Sequence, residues 1–297
     1  YENTDSFGDG NTNASPVWYG STNYSVVTNS DASGLIGSEN VRTNTVRLNA
    51  GGAGTQVLAT PISSWLNQQT WSFWVGRRDA AASASDRARI WLYGNNLALA
   101  LAAGNNGYFV EIGDDTGDDE IRFYRVDNGT ATLLLTSSTA IANGLVDYGV
   151  TFLITRNETG LWTIKTSTLP TSSLNTGSTP TALSCPITSS TVTQGTVTDN
   201  TYPPAPGGYI GFSVTNSAGN GQTAFEFDNL RVLTQPSNTY VAFNTTSSSQ
   251  SEPTNGGGDL SFTIALNIFN PSASVATSVD VVLTSGDSGR LGGSSTA

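Results

Sequence analysis

The sequence predicts an all-β sandwich. Three observations carry that reading: short segments with apolar residues at every second position, turn-forming residues between them, and no segment with the apolar periodicity of an amphipathic helix. Composition agrees, with 32 glycines, abundant Ser, Thr and Asn, and charged residues at only 12%.

Taken in order, residues 11–31 are polar and turn-rich, anchored by Trp18-Tyr19 and by Tyr24 and Val26-Val27. Residues 41–48 alternate Val41, Thr43 and Thr45 against Arg42, Asn44 and Val46 ahead of a glycine-rich turn. Residues 57–62 read as a short strand stopped by Pro61. The strongest strand signal is residues 70–76, with Trp71, Phe73 and Val75 on one face and Trp74 on the other. In residues 88–93, Ala88, Ile90 and Leu92 make a core face, and Arg89, Trp91 and Tyr93 project oppositely. Residues 97–102 fit a strand or one helical turn equally well. Residues 108–112 and 120–126 form a hairpin, and Asp127-Asn128-Gly129 turns the chain into residues 132–136. Residues 148–156 and 161–166 make a second hairpin, residues 168–206 read mostly as loop, and 208–214 lead to the closing strand.

That closing strand, residues 223–233, carries an acid in an unusual place. Ala224, Glu226 and Asp228 alternate with Phe225 and Phe227, then the pattern breaks at Asp228-Asn229 and resumes with Leu230 and Val232, so a bulge or kink is expected there. Its expected partner is the start of the chain, because sandwich termini are often neighbours. That pairing would bring Asp5, Asp9 and Asp228 together.

Absences remove whole mechanisms. With no histidine and one cysteine, the chain itself holds no Ser-His-Asp triad, Cys-His pair or histidine-ligated zinc. A net charge of -11 with a single lysine, Lys165, argues against a nucleic-acid surface. It suits calcium or neutral glycans better. Cys185 is expected to pack as a small apolar residue. No apolar run is long enough to span a membrane. A chain that opens at Tyr1 and contains no methionine is expected to have lost an N-terminal segment, most simply a signal peptide, which makes secretion the expected localisation.

Five stretches carry a family resemblance: Ser6-Phe7-Gly8-Asp9-Gly10, the Thr70–Val75 strand, Asn106 to Gly113, the Asn157–Trp162 hairpin and Phe227-Asp228-Asn229-Leu230-Arg231-Val232. Together they resemble the laminin-G or concanavalin A-like jelly-roll domain at the front of large secreted surface proteins of Bacteroidota, exported by the type IX system. The resemblance covers residues 1–234 and implies fold far more than activity. After a linker at 235–239, residues 240–297 resemble the opening half of an immunoglobulin-like Calx-beta domain. They supply too few strands for a whole one, so the chain is expected to be the front of a longer polypeptide or to be cut inside its second domain.

Candidate sites follow. Calcium takes six to eight oxygens, and Asp5, Asp9 and Asp228 are candidate ligands; the alternative is that Asp9 belongs to a turn and Asp228 caps the bulge. Glu252 matches an acidic ligand position implied by the Calx-beta resemblance. For a glycan, stacking aromatics and polar heads are needed, and Trp74, Arg89, Trp91, Tyr93, Arg122 and Tyr124 are expected to line one concave sheet; the alternative is that these aromatics pack under loops. Catalysis is not expected. Glu111-Ile112-Gly113-Asp114-Asp115 approaches a glucanase carboxylate motif, but glycine takes the middle acid position and the later acids fall in a turn. The expected function is a non-catalytic, calcium-stabilised adhesion or glycan-binding module of a secreted cell-surface protein, with a surface polysaccharide and type IX components as partners. A structural spacer or secretion cargo, or an accessory domain of a hydrolase or nuclease, is the alternative.

Overall fold

A computed structural model describes residues 2–5, 7, 11–13, 16–28, 44–48, 54–62, 68–77, 86–113, 119–141, 145, 148–170, 191–202, 207–216, 225–235, 240–243 and 266–269. The chain divides into two compact units, Tyr1–Gln235 and Pro236–Ala297.

In the first unit the strands are β1 (Glu2–Asp5), β2 (Tyr19–Gly20), β3 (Tyr24–Thr28), β4 (Asn44–Leu48) and β5 (Gly54–Pro61). Then come β6 (Gln68–Arg77), β7 (Arg87–Gly94), β8 (Gly107–Ile112), β9 (Asp119–Asp127) and β10 (Thr130–Ile141). The last five are β11 (Tyr148–Arg156), β12 (Leu161–Thr166), β13 (Val192–Thr198), β14 (Tyr209–Asn216) and β15 (Phe225–Gln235). They form two antiparallel sheets. Sheet A is 8-stranded in the order β13-β12-β11-β6-β15-β4-β3, with β1 also on β15; sheet B is 7-stranded in the order β10-β9-β8-β7-β14-β5-β2. The all-β sandwich is as the sequence predicts.

Period two builds the core. Trp71, Phe73 and Val75 of β6, Ala88, Ile90 and Leu92 of β7, and Phe225 and Phe227 of β15 all turn inward and are buried. Rings pack between the sheets, with Phe212 on Phe227 at 4.1 Å and Trp162 central to Trp71, Tyr108 and Phe123. Each such buried aromatic contributes about 1.5–3 kcal/mol of transfer free energy. The Trp71 indole N–H also finds a partner, donating to the Leu92 carbonyl at 3.0 Å.

Local chemistry sets the turns. Asn128 and Gly129 both adopt positive φ, 46° and 80°, the two-residue turn that matches strand twist, and Asp127 pairs with Thr130 across it. In the β11–β12 turn the Asn157 side chain accepts from the Thr159 and Leu161 N–H groups. Two sequence expectations change. Residues 97–102 are neither strand nor helix but successive tight turns, with Ala100 N–H on the Ala98 carbonyl and Ala102 N–H on the Ala100 carbonyl. The stretch expected to be loop after residue 168 contains the strand β13, whose threonine-rich sequence has no apolar alternation to announce it and whose register shifts opposite Ile164-Lys165.

In the second unit, β16 (Tyr240–Phe243) pairs antiparallel with β17 (Leu266–Phe269), Tyr240 opposite Phe269. Glu252 and the segments 251–253, 260–265 and 279–287 lie outside the described residues.

Candidate functional site

The expected pairing of chain start and closing strand is present: β1 runs antiparallel to β15 with Asp5 opposite Leu230. The bulge is present too. The register against β6 shifts between Asp228 and Arg231, and Asn229 sits in the left-handed region at φ 53°. Asp5 is engaged by N–H donors on both oxygens, from Phe7 N–H at 2.7 Å and Trp18 Nε1–H at 2.5 Å. Asp228 accepts from the Asn229 N–H at 2.7 Å. Asp9 lies outside the described residues, and among the described residues no group of three or more acids, cysteines or histidines is placed to hold a metal. Two carboxylates fall short of the oxygens Ca²⁺ takes.

The six residues expected to line one sheet do not do so. Trp74 belongs to sheet A, on its outer face, where its indole lies flat over Gly76 and Gly149; a Cβ on Gly76 would sit 2.1 Å from the ring. Trp74 is buried, as is its strand neighbour Asp228. Glu226, on the same face, is held by Arg47, whose Nε donates at 2.6 Å, and by the Thr45 hydroxyl. This face is closed at its centre.

The other five belong to sheet B, and a bulge removes one of them. Between Trp91 and Tyr93 the β7 register slips, so Tyr93 comes opposite the core residue Tyr108 and packs on the inner cluster. The alternation that puts Arg89, Trp91 and Tyr93 on one face fails at that slip. Trp91 does face outward, but it is 1% exposed, tilted against Phe109 at 5.1 Å and packed with Leu99 from the β7–β8 connection, its Nε1–H donating to Ser213 Oγ. It serves as a small outer core rather than an open platform.

The remainder of that outer face is only partly accessible, since Glu111 is buried and the Arg89 side chain is 13% exposed. Arg89, Glu111 and Arg122 occupy adjacent positions across β7, β8 and β9. Arg89 donates to Glu111 Oε2 at 2.7 Å and caps the Phe109 ring at 5.3 Å, and Arg122 donates to Glu120 at 2.9 Å. One step along, Tyr124 stacks on Phe109 at 5.0 Å with Leu133 opposite it, 49% exposed. Burial raises the Tyr124 phenol pKa, so it is a neutral donor at physiological pH. A half-buried ring, an exposed leucine and guanidinium heads therefore share one patch. Glu111, the glucanase candidate, is tied into this ion pair; Gly113 follows at φ 98° with no room for a side chain against the Asp86 carbonyl, and Asp114 and Asp115 lie outside the described residues.

Sequence reading missed two polar clamps that fix this sheet on the other. At one end of β9, Arg77 of sheet A donates to Asp119 at 3.1 Å. At the other end, Asp199 beyond β13 accepts from Tyr108 and Arg125, each at 2.6 Å, while Tyr202 and Arg125 hold Asp127. Burial acts to raise both carboxyl pKa values, but these hydrogen bonds outweigh it and hold Asp199 and Asp127 below the usual carboxylate range. Tyr202 is pushed up to about 12 by burial and its bond to Asp127. Such clusters join residues 42 to 91 positions apart, which no local pattern reveals.

No protein-family model matches the chain, and no curated protein sequence is significantly similar to it. Among solved structures it is similar to the carbohydrate recognition domain of Emp47p (TM-score 0.46, 11% identity, covering 79% of this chain and 95% of that one). It is also similar to a legume lectin-like domain from Entamoeba histolytica (TM-score 0.43, 14% identity, 72% and 90%). A third is the exoplasmic/lumenal domain of VIP36 in a Ca²⁺/Man3GlcNAc-bound form (TM-score 0.45, 12% identity, 72% and 84%). At such scores the likeness carries no argument about what this chain binds.

Proposed function

We propose that the first unit is a non-catalytic glycan-binding module that presents the outer face of sheet B. One observation carries this: Tyr124 and the exposed Leu133 make an apolar shelf beside the partly exposed Arg122, which pairs with Glu120, with the Arg89–Glu111 ion pair next along the same face. A sugar has the matching anatomy, an apolar C–H face to lie on a ring and hydroxyls to meet charged donors and acceptors. The supporting contrast is that the other candidate aromatics, Trp74 and Trp91, are buried. A glycan array tests it. The chain retains glycans and an Arg122→Ala/Tyr124→Ala variant loses them; equal retention by both discards this face as the site.

The wider setting belongs to the same proposal: a secreted, multidomain surface protein in which this module adheres to polysaccharide, exported and attached by type IX components. Deleting residues 1–234 from the full-length protein then abolishes adhesion of cells, whereas unchanged adhesion supports the spacer alternative. Calcium is proposed separately for Asp5, Asp9 and Asp228. Adding Ca²⁺ to chelator-stripped protein raises its melting temperature, and Asp228→Asn removes that gain; a melting temperature indifferent to Ca²⁺ rejects it.

A further inference from the structure

Arg87 sits on the same outer face, two residues before Arg89, and its circumstances differ from those of its neighbours. Arg89 holds Glu111 at hydrogen-bond distance, 2.7 Å, and so satisfies that carboxylate. Arg87 reaches the other Glu111 oxygen only at 3.9 Å, beyond hydrogen-bond range, although its side chain is 39% exposed and free to approach a ligand. Its Nε is buried without a hydrogen-bond partner. Two guanidinium groups therefore face one carboxylate, and the terminal nitrogens of the second, on its exposed end, stay outside hydrogen-bond range of it. A hydroxylated rim lies alongside, where Thr55 and Thr215 join hydroxyls at 3.0 Å and Thr215 is the strand partner of Arg87.

We infer that Arg87 recognises an anionic substituent, a uronate carboxylate or a sulfate ester, on the bound polysaccharide. The chemistry is specific: a planar guanidinium pairs with a carboxylate or sulfate through two parallel N–H···O bonds, which a neutral hydroxyl cannot match. The chain's net charge of -11 opposes polyanions at long range, so selection for one comes from this local fork and not from the overall field. The inference rests on the glycan-binding reading and narrows it to acidic polymers.

The test uses the full chain in affinity electrophoresis against matched pairs: polygalacturonate with its fully methyl-esterified form, and dextran sulfate with dextran. The acidic member of at least one pair retards the protein about tenfold more strongly than its neutral partner, the scale of one charge-assisted pair. The pair that responds separates carboxylate from sulfate. Arg87→Ala removes that preference with an unchanged melting temperature, and Arg87→Lys, which keeps charge but not the fork, restores only part of it. Neutral polymers binding as tightly as acidic ones, or Arg87→Ala keeping the full preference, overturns the inference while leaving glycan binding intact. Failure to bind any of the four polymers, together with a blank glycan array, removes the glycan-binding reading as well.

Discussion

The two outer faces of the sandwich carry the same kinds of residue to different ends. On sheet A, Trp74, Asp228, Glu226 and Thr45 are all buried, the ring laid over a glycine notch and the acid locked to Arg47. On sheet B, Trp91 and Phe109 are buried in the same way, but Arg87, Arg122 and Leu133 keep their heads partly in water. Alternation alone assigns both sets to an outer face. Whether an outward side chain meets solvent depends on what lies above the sheet, and that separates a closed face from one partly open to water.

The comparison breaks most readily at its charged centre. Arg47→Ala strands Glu226, whose side chain is 2% exposed, and is expected to lower stability by about 3 kcal/mol in urea unfolding while leaving glycan binding alone. Next is the glycine notch: Gly149→Ala places a methyl 2.6 Å from the Trp74 indole nitrogen, an overpacking expected to cost about 1–3 kcal/mol by the same assay. Smaller is the acid response of the clamp at the end of β9. Because Asp199 and Asp127 have lowered folded pKa values, the unfolded chain takes up their protons first as pH falls. Their contribution is complete above the ordinary carboxylate pKa, about 4, and drains away below it. Melting temperatures should therefore fall more steeply below about pH 4 in the natural chain than in Asp199→Asn, and parallel curves would argue against the clamp. Least in stability is Arg122→Ala, within about 0.5 kcal/mol as for an ordinary surface change, despite its expected loss of glycan binding.

Much of the sandwich is legible in the sequence because its strands obey period two. Trp71, Phe73 and Val75, and Ala88, Ile90 and Leu92, point inward as the alternation requires. The break at Asp228-Asn229 announces a bulge, which the register of β15 shows. The site is less legible. A second bulge, between Trp91 and Tyr93, carries no sequence break of its own, since Ile90-Trp91-Leu92-Tyr93 is apolar throughout; there the inward and outward assignments cross. Trp74 and the sheet B residues are split between sheets because strand neighbours in space, β6 beside β15 and β7 beside β14, are far apart in the chain. Arg87 was within reach, two residues from Arg89, and what marks it is its looser hold on Glu111.

Recognition is proposed for sheet B's outer face. Amide hydrogen exchange, with and without the glycan that the array retains most strongly, tests it directly. The expected result is slowed exchange in β8 and β9, residues 107–112 and 119–127, with β6 and β15 unchanged. Protection confined to β6 and β15, around Trp74 and Asp228, would contradict it.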